Sequence, residues 1–213
     1  MSRGTRMNPT RVYLEVAPKR TFACAIEWPG WCRSGRTPEA ALEALAAYRE
    51  RYGRVAGSAG QRLSTGPFEV VEEVVGNATT EFGAPGVVPP SDRDGWRRGE
   101  LRRHVALLGA AWSALDDAVR AAPPVLRKGP RGGGRDRDAI YAHVVEAEDA
   151  YARKIGVRVK ATATGAAAVA ARRAAILDAL GSEGPEWKWP ARYAIRRTAW
   201  HAVDHAWEIE DRR

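Results

Sequence analysis

The sequence predicts an α+β protein, a small N-terminal β-β-β-α-β unit followed by an all-α four-helix bundle. Two periodicities and the stretch between them carry this expectation. From Val12 to Trp28 apolar residues alternate with period two, the pattern of strands. Beyond Trp96 they recur at intervals of three and four, the pattern of amphipathic helices. Gly83-Ala84-Pro85-Gly86-Val87-Val88-Pro89-Pro90-Ser91-Asp92 has neither period and is rich in Pro and Gly. The expected division is therefore 1–82, a linker at 83–95, and a helical unit at 96–213.

Residues 1–9 lack periodicity and read as a tail. Val12, Leu14 and Val16 then alternate with Tyr13 and Glu15, and after Pro18-Lys19-Arg20 the alternation resumes at Phe22, Cys24, Ile26 and Trp28. Two such runs across a short turn make an antiparallel hairpin. Pro29-Gly30 is a second turn, with Trp31 to Ser34 as a short third strand. Thr37-Pro38 opens a helix with an N-cap hydroxyl and a proline at the first helical position. That helix is expected to run to about Tyr52, with Leu42, Leu45 and Tyr48 toward the sheet and Gly53 as its stop. Phe68 to Val75 is a further strand by its β-branched content.

In the second half, Leu101, Val105, Leu108, Trp112, Leu115 and Val119 form one apolar stripe, which ends at Pro123-Pro124. Lys128 to Arg135 is a basic, Gly-rich loop without a strand before it, so it reads as a solvated connection and not a phosphate loop. A second helix spans about Asp136 to Ile155, with Ile140, Val144, Ala147 and Tyr151 inward, and Gly156 stops it. A third spans about Thr164 to Leu180 through Val169, Ile176, Leu177 and Leu180, and Gly181 and Gly184-Pro185 end it. Trp187 and Trp189 precede the fourth, which runs from Ala191 to the end without Gly or Pro.

Composition narrows the function classes. The chain has 213 residues, 45% hydrophobic and 28% charged, as in globular proteins. No apolar run has bilayer length and the N-terminus lacks a signal-like apolar core, so the expectation is a cytoplasmic protein with no membrane contact. The formal charge is +8, but the cations are interleaved with acids, which favours a solvated surface over a nucleic-acid face. Cys24 and Cys32 are too few and wrongly spaced for a disulfide framework or a Cys-x-x-Cys site. Cys24 is expected as a small buried hydrophobe, Cys32 as partly exposed, and neither as a nucleophile.

The chemistry-bearing residues are four histidines. On the fourth helix His201 and His205 lie one turn apart on one face, continued by Glu208 and Arg212, beside an apolar stripe of Ala199, Ala202, Ala206 and Ile209. Two imidazoles at i and i+4 can ligate one divalent ion, and they also occur on solvated faces. His143 sits at the edge of the second helix's apolar stripe among Ala139, Ala147 and Ala150, small neighbours that leave room for an inward imidazole. If the second and fourth helices adjoin, His143 completes a site, as bundle cores do with inward side chains on facing helices. Glu146 faces the polar side, and His104 reads as structural or exposed, with a place in the wall of the same cavity as the lesser alternative.

Two resemblances sharpen these expectations. Trp28-Pro29-Gly30-Trp31-Cys32-Arg33-Ser34-Gly35-Arg36-Thr37-Pro38-Glu39-Ala40-Ala41-Leu42 resembles the core of HicB-like antitoxin domains over about residues 11–52. It implies a unit that engages a protein or RNA partner, or an accessory fused to another domain. His143-Val144-Val145-Glu146-Ala147-Glu148, with Trp200-His201-Ala202-Val203-Asp204-His205-Ala206-Trp207-Glu208-Ile209-Glu210-Asp211-Arg212, resembles the DinB-like superfamily of four-helix metalloproteins, YfiT-type enzymes included.

That second resemblance covers about residues 96–213 and implies one divalent metal held by His143, His201 and His205. Zinc, nickel and iron all suit such ligands. It also implies a small-molecule substrate and, from characterised members, a low-molecular-weight thiol such as mycothiol as co-substrate of an S-transferase or isomerase. Around the ligands, Glu208 is a candidate outer acceptor, fourth ligand or proton shuttle, Asp204 a candidate orienter of an imidazole, and Arg212 a candidate for steering an anion. No catalytic residue beyond these is assigned. The alternative is a non-enzymatic binding or regulatory protein whose bundle is structural or dimerising, including as a homodimer.

Overall fold

A computed structural model describes residues 8–63, 66–129, 133–158, 165–181, 184 and 187–213. The α+β expectation holds: a four-stranded mixed sheet comes first and helices follow. Most of the expected tail, part of the basic loop, Thr164 and Pro185 lie outside the described residues.

The sheet is built of β1 (Thr10–Ala17), β2 (Arg20–Ala25), β3 (Cys32–Gly35) and β4 (Phe68–Val75), in the order β3-β2-β1-β4. β1 pairs antiparallel with β2 and parallel with β4, which needs a long crossover, supplied by the helices between β3 and β4. Val12, Leu14, Ala23 and Ala25 belong to the main core. Tyr13, Phe22 and Cys24 form a second cluster with Trp200 from the other end of the chain. Phe22 and Trp200 meet edge to face at 6.0 Å between ring centroids. Both faces of β1 and β2 are thus covered.

The single expected helix is two, α1 (Pro38–Ala47) and α2 (Arg49–Ser58), joined at Tyr48. Thr37 caps α1 as expected, accepting from the Ala40 amide at 3.2 Å. Gly53 does not stop the chain, and α2 passes through it. A mid-helix glycine costs about 1 kcal/mol relative to alanine, and burial of Tyr52, Val55 and Ala56 outweighs it. Trp31 stacks on Tyr52 at 5.5 Å, its Nε1 donates to the Leu45 carbonyl, and the Tyr52 hydroxyl donates to the Pro29 carbonyl.

Cys24 and Cys32 depart from expectation. They stand opposite one another in the β2–β3 register, joined as a disulfide, and both are buried.

The segment expected as a linker is packed. It follows α3 (Ala78–Phe82), and the buried carboxylate of Glu15 accepts from the Thr80 hydroxyl and from the amides of Gly86 and Val87. A 3₁₀ turn at Pro90–Arg93 buries Asp92.

Four helices complete the fold in a bundle-like arrangement: α4 (Glu100–Ala121), α5 (Arg137–Lys154), α6 (Gly165–Leu180) and α7 (Ala191–Arg212). α7 packs on α4 and α5, and α6 packs on α5. Arg192 pairs with Glu100 at the starts of α7 and α4, while Arg212 meets Arg127 just past the end of α4, so these two helices run parallel. The stripe on α4 is buried at Leu108, Trp112 and Leu115, as the pattern predicts. On α5, Ile140 and Val144 are buried, but Ala147 and Tyr151 line a cleft and Glu148 takes a buried position. Glu148 is held there by Arg173 of α6, which also reaches Asp116 at 2.8 Å. No helix among the described residues is long and apolar enough to cross a membrane.

α7 lies at the centre. Its apolar stripe of Ala199, Ala202, Ala206 and Ile209 is buried, and so are Arg192, Arg196, Arg197, Thr198 and His201. Arg196 makes a two-pronged ion pair with Asp92, at 2.5 and 3.0 Å, and donates to the carbonyls of Ala25 and Ile26. One guanidinium therefore ties together α7, the sheet and the 3₁₀ turn.

Candidate metal centre

The absence of Gly and Pro lets α7 run 22 residues unbroken, which puts His201 and His205 one turn apart on the side facing α5. His143 projects from α5 toward them. Its ring centroid lies 5.0 Å from that of His201 and 5.2 Å from that of His205, and the α7 pair are 4.7 Å apart. One nitrogen from each ring falls within 4.8 Å of the others, close enough for a single ion to bind all three. The sequence expectation of this trio is met in position.

Two of the rings, His201 and His143, sit in surroundings that favour the neutral, metal-binding form of imidazole. Burial, then the neighbouring His205 and Arg197, push His201 down to about 2. Burial, His205 and Arg135 lower His143 in the same direction. Nδ1 of His201 is buried without a hydrogen-bond partner among the described residues, so the protein does not consume that ring's capacity. His205 is oriented differently, with its Nδ1 2.7 Å from Glu208 Oε2. The other oxygen of Glu208 accepts from Arg212 at 2.7 Å. Such a carboxylate fixes the tautomer and leaves Nε2 to face a ligand. The donor set fits a divalent ion of the zinc, nickel or iron type.

The other expected residues divide. Glu208 is an outer partner of His205, one of the roles anticipated. The Asp204 carboxylate takes a 2.7 Å hydrogen bond from Arg33 of β3, which pins α7 to the sheet, and the residue lines the cleft over the trio. Arg212 does not face open solvent for steering an anion, because it is bound to Glu208 and to the Arg127 carbonyl. His104 is buried against Trp96, away from the trio. Glu146 is exposed, as expected.

A cleft of about 290 Å³ opens over the three histidines. Its remaining walls include Tyr151, Trp200 and Arg197 from the helices, Phe82 and Ala84 from the α3 segment, and Arg135. A larger, open hollow of about 680 Å³ lies around Lys19, Arg20, Ser34 and Arg36 but has no histidine, acid or thiol in its walls, so the chemistry lies with the smaller one. Arg197 and Tyr151 were not singled out as site residues in the sequence. The signal for Arg197 was present, since it is one turn before His201 on the same face. No family model matches this chain, and no curated protein or solved structure matches it either.

Proposed function

We propose that the protein is a divalent-metal-dependent enzyme of the DinB-like kind that acts on a small molecule with a low-molecular-weight thiol, such as mycothiol, as co-substrate. One observation carries the reading: three imidazoles from two helices converge beneath a cleft large enough for a small ligand. A divalent ion bound by three imidazoles supplies Lewis acidity and an open coordination position for a thiol or an electrophile. The chain's own residues do the positioning. Glu208 holds the His205 ring in one tautomer, and Arg212 holds Glu208. Cys24 and Cys32 are buried and paired with each other, which favours a thiol from solution over one from the chain.

The test is metal content of the purified protein by elemental analysis, beside a His201→Ala, His205→Ala variant. Near-stoichiometric metal that the variant lacks is the expected result, with thiol-transfer assays to follow. Protein that stays metal-free after incubation with zinc and nickel would sink the proposal.

A second reading rests on a different observation. β4 is an edge strand whose Val70, Val71 and Val75 are exposed, which suits addition of a partner's strand. A HicB-like unit that engages a protein or RNA, or a homodimer formed through this edge, would use it. Partner binding that survives loss of all three histidines would favour this alternative.

A further inference from the structure

We propose that the cleft recognises its small-molecule substrate by a carboxylate group, held by the guanidinium of Arg197 beside the histidine trio. Arg197 is 9% exposed and lines the cleft one helical turn from His201. Its guanidinium carbon stands 4.6 Å from the ring centroid of Trp200 and 5.3 Å from that of Tyr151, so two aromatic faces hold it in place. The Tyr151 hydroxyl also interacts with the guanidinium, but among the described residues Nη1 has no hydrogen-bond partner and no carboxylate pairs with this cation.

The surrounding acids have other partners. Asp204 also lines the cleft, but its carboxylate is bound to Arg33, and Glu208 is bound to His205 and Arg212. Glu15, whose charge reaches Arg197, accepts from Thr80, Gly86 and Val87. The buried arginines next along the helix show the contrast: Arg192 has Glu100 and Arg196 has Asp92. A buried guanidinium with no direct ion pair costs free energy that a bound anion recovers. Arg135 adds a second cation at the cleft wall, and a divalent ion on the histidines would add two more charges.

The planar fork of arginine matches a carboxylate by two parallel hydrogen bonds. The partly aromatic walls of the cleft and its 290 Å³ favour a small organic acid over a bulky polyanion. This inference deepens the metal-enzyme proposal and rests on it for the substrate's second anchor, but the anion contact itself is readable without metal.

The experiment is calorimetric titration of the full chain, metal-free and after incubation with zinc, using pyruvate as probe. Pyruvamide serves as its uncharged counterpart and inorganic phosphate as a non-carboxylate anion. Wild-type protein is expected to bind pyruvate in preference to both, with or without zinc. Arg197→Gln should weaken pyruvate about 10- to 100-fold, the worth of a charge-assisted contact. Arg197→Lys keeps the charge, loses the fork and should weaken it less; it carries the test if the glutamine variant does not fold.

Equal pyruvate affinity in wild type and both variants, or no pyruvate binding to wild type, overturns the inference. Phosphate binding as tight as pyruvate overturns the carboxylate class. Zinc uptake with unchanged pyruvate binding across the variants sinks this inference and leaves the metal proposal standing. Arg197-dependent pyruvate binding with no zinc uptake does the reverse.

Discussion

Replacing Glu208 by glutamine separates orientation of a ligand from folding. In the native arrangement one carboxylate serves two donors, His205 Nδ1–H and Arg212, each at 2.7 Å. A glutamine side chain replaces one of the two acceptor oxygens by an amide nitrogen, so one of the two donors loses its acceptor. If Arg212 takes the oxygen, the amide N–H₂ faces the ring and disfavours the tautomer that leaves Nε2 free. Loss of such an outer partner typically costs 10- to 100-fold in metal affinity, which corresponds to about 1.4–2.7 kcal/mol. The effect on the metal-free protein should be smaller. The Glu208–Arg212 pair is an i, i+4 contact with Glu208 one-third exposed, worth about 0.3–0.5 kcal/mol. Zinc competition against a chromogenic chelator measures the first quantity, and guanidinium denaturation of the metal-free protein measures the second. Unchanged zinc affinity in Glu208→Gln would refute the role given to the carboxylate. A loss of several kcal/mol in the metal-free protein would show that Glu208 serves the fold and not the ligand.

Two further predictions concern the frame around the site. Asp92→Asn should destabilise by about 3–5 kcal/mol, because Arg196 is left charged and buried, and Asp92→Asn with Arg196→Met should recover part of that loss. Denaturant titrations of the three proteins check this, and a double variant no better than the single one would contradict it. His104 is pushed down to about 3, first by burial and then by nearby arginines, so it is neutral when folded and takes a proton below about pH 6.5 only when unfolded. Its contribution is complete above that pH and is lost as pH falls toward 3, by at most about 1.4 kcal/mol per unit. His104→Leu should flatten the decline of stability between pH 6 and pH 4, and an unchanged slope would argue against a neutral buried imidazole.

The parts of the site that depend on one helix were legible in the sequence. His201, His205 and Glu208 follow from helical spacing alone. His143 needed α5 and α7 to be neighbours, which periodicity does not supply; the resemblance did. The burial of residues 191–203 of α7 on all sides is not legible from a segment that carries Arg192, Arg196 and Arg197, because only tertiary structure sets Glu100 and Asp92 opposite the first two. The cysteine pair failed for a geometric reason. The β2–β3 pairs are symmetric about Trp28, as Thr21↔Gly35 and Cys24↔Cys32 show, whereas a turn centred on Pro29-Gly30 would set Cys32 opposite Glu27. Gly53 failed because the buried side chains around it outweighed a local preference that was correctly read.

The sheet supports α7 from the side away from α5. Gly30, with φ of +99°, lies at the turn where the sheet meets the helix, and a side-chain carbon there would come within 3.4 Å of Ala199, two residues before His201. Arg33 grips Asp204, the residue before His205. The histidine trio is therefore not a portable cassette. Residues 96–213 transplanted alone would leave Trp200 and Arg196 without the surfaces that hold them, and the spacing of the rings would no longer be enforced from behind. The two halves of this chain constitute one instrument, and any relative that kept the histidines while replacing the sheet would need another backing for the same helix.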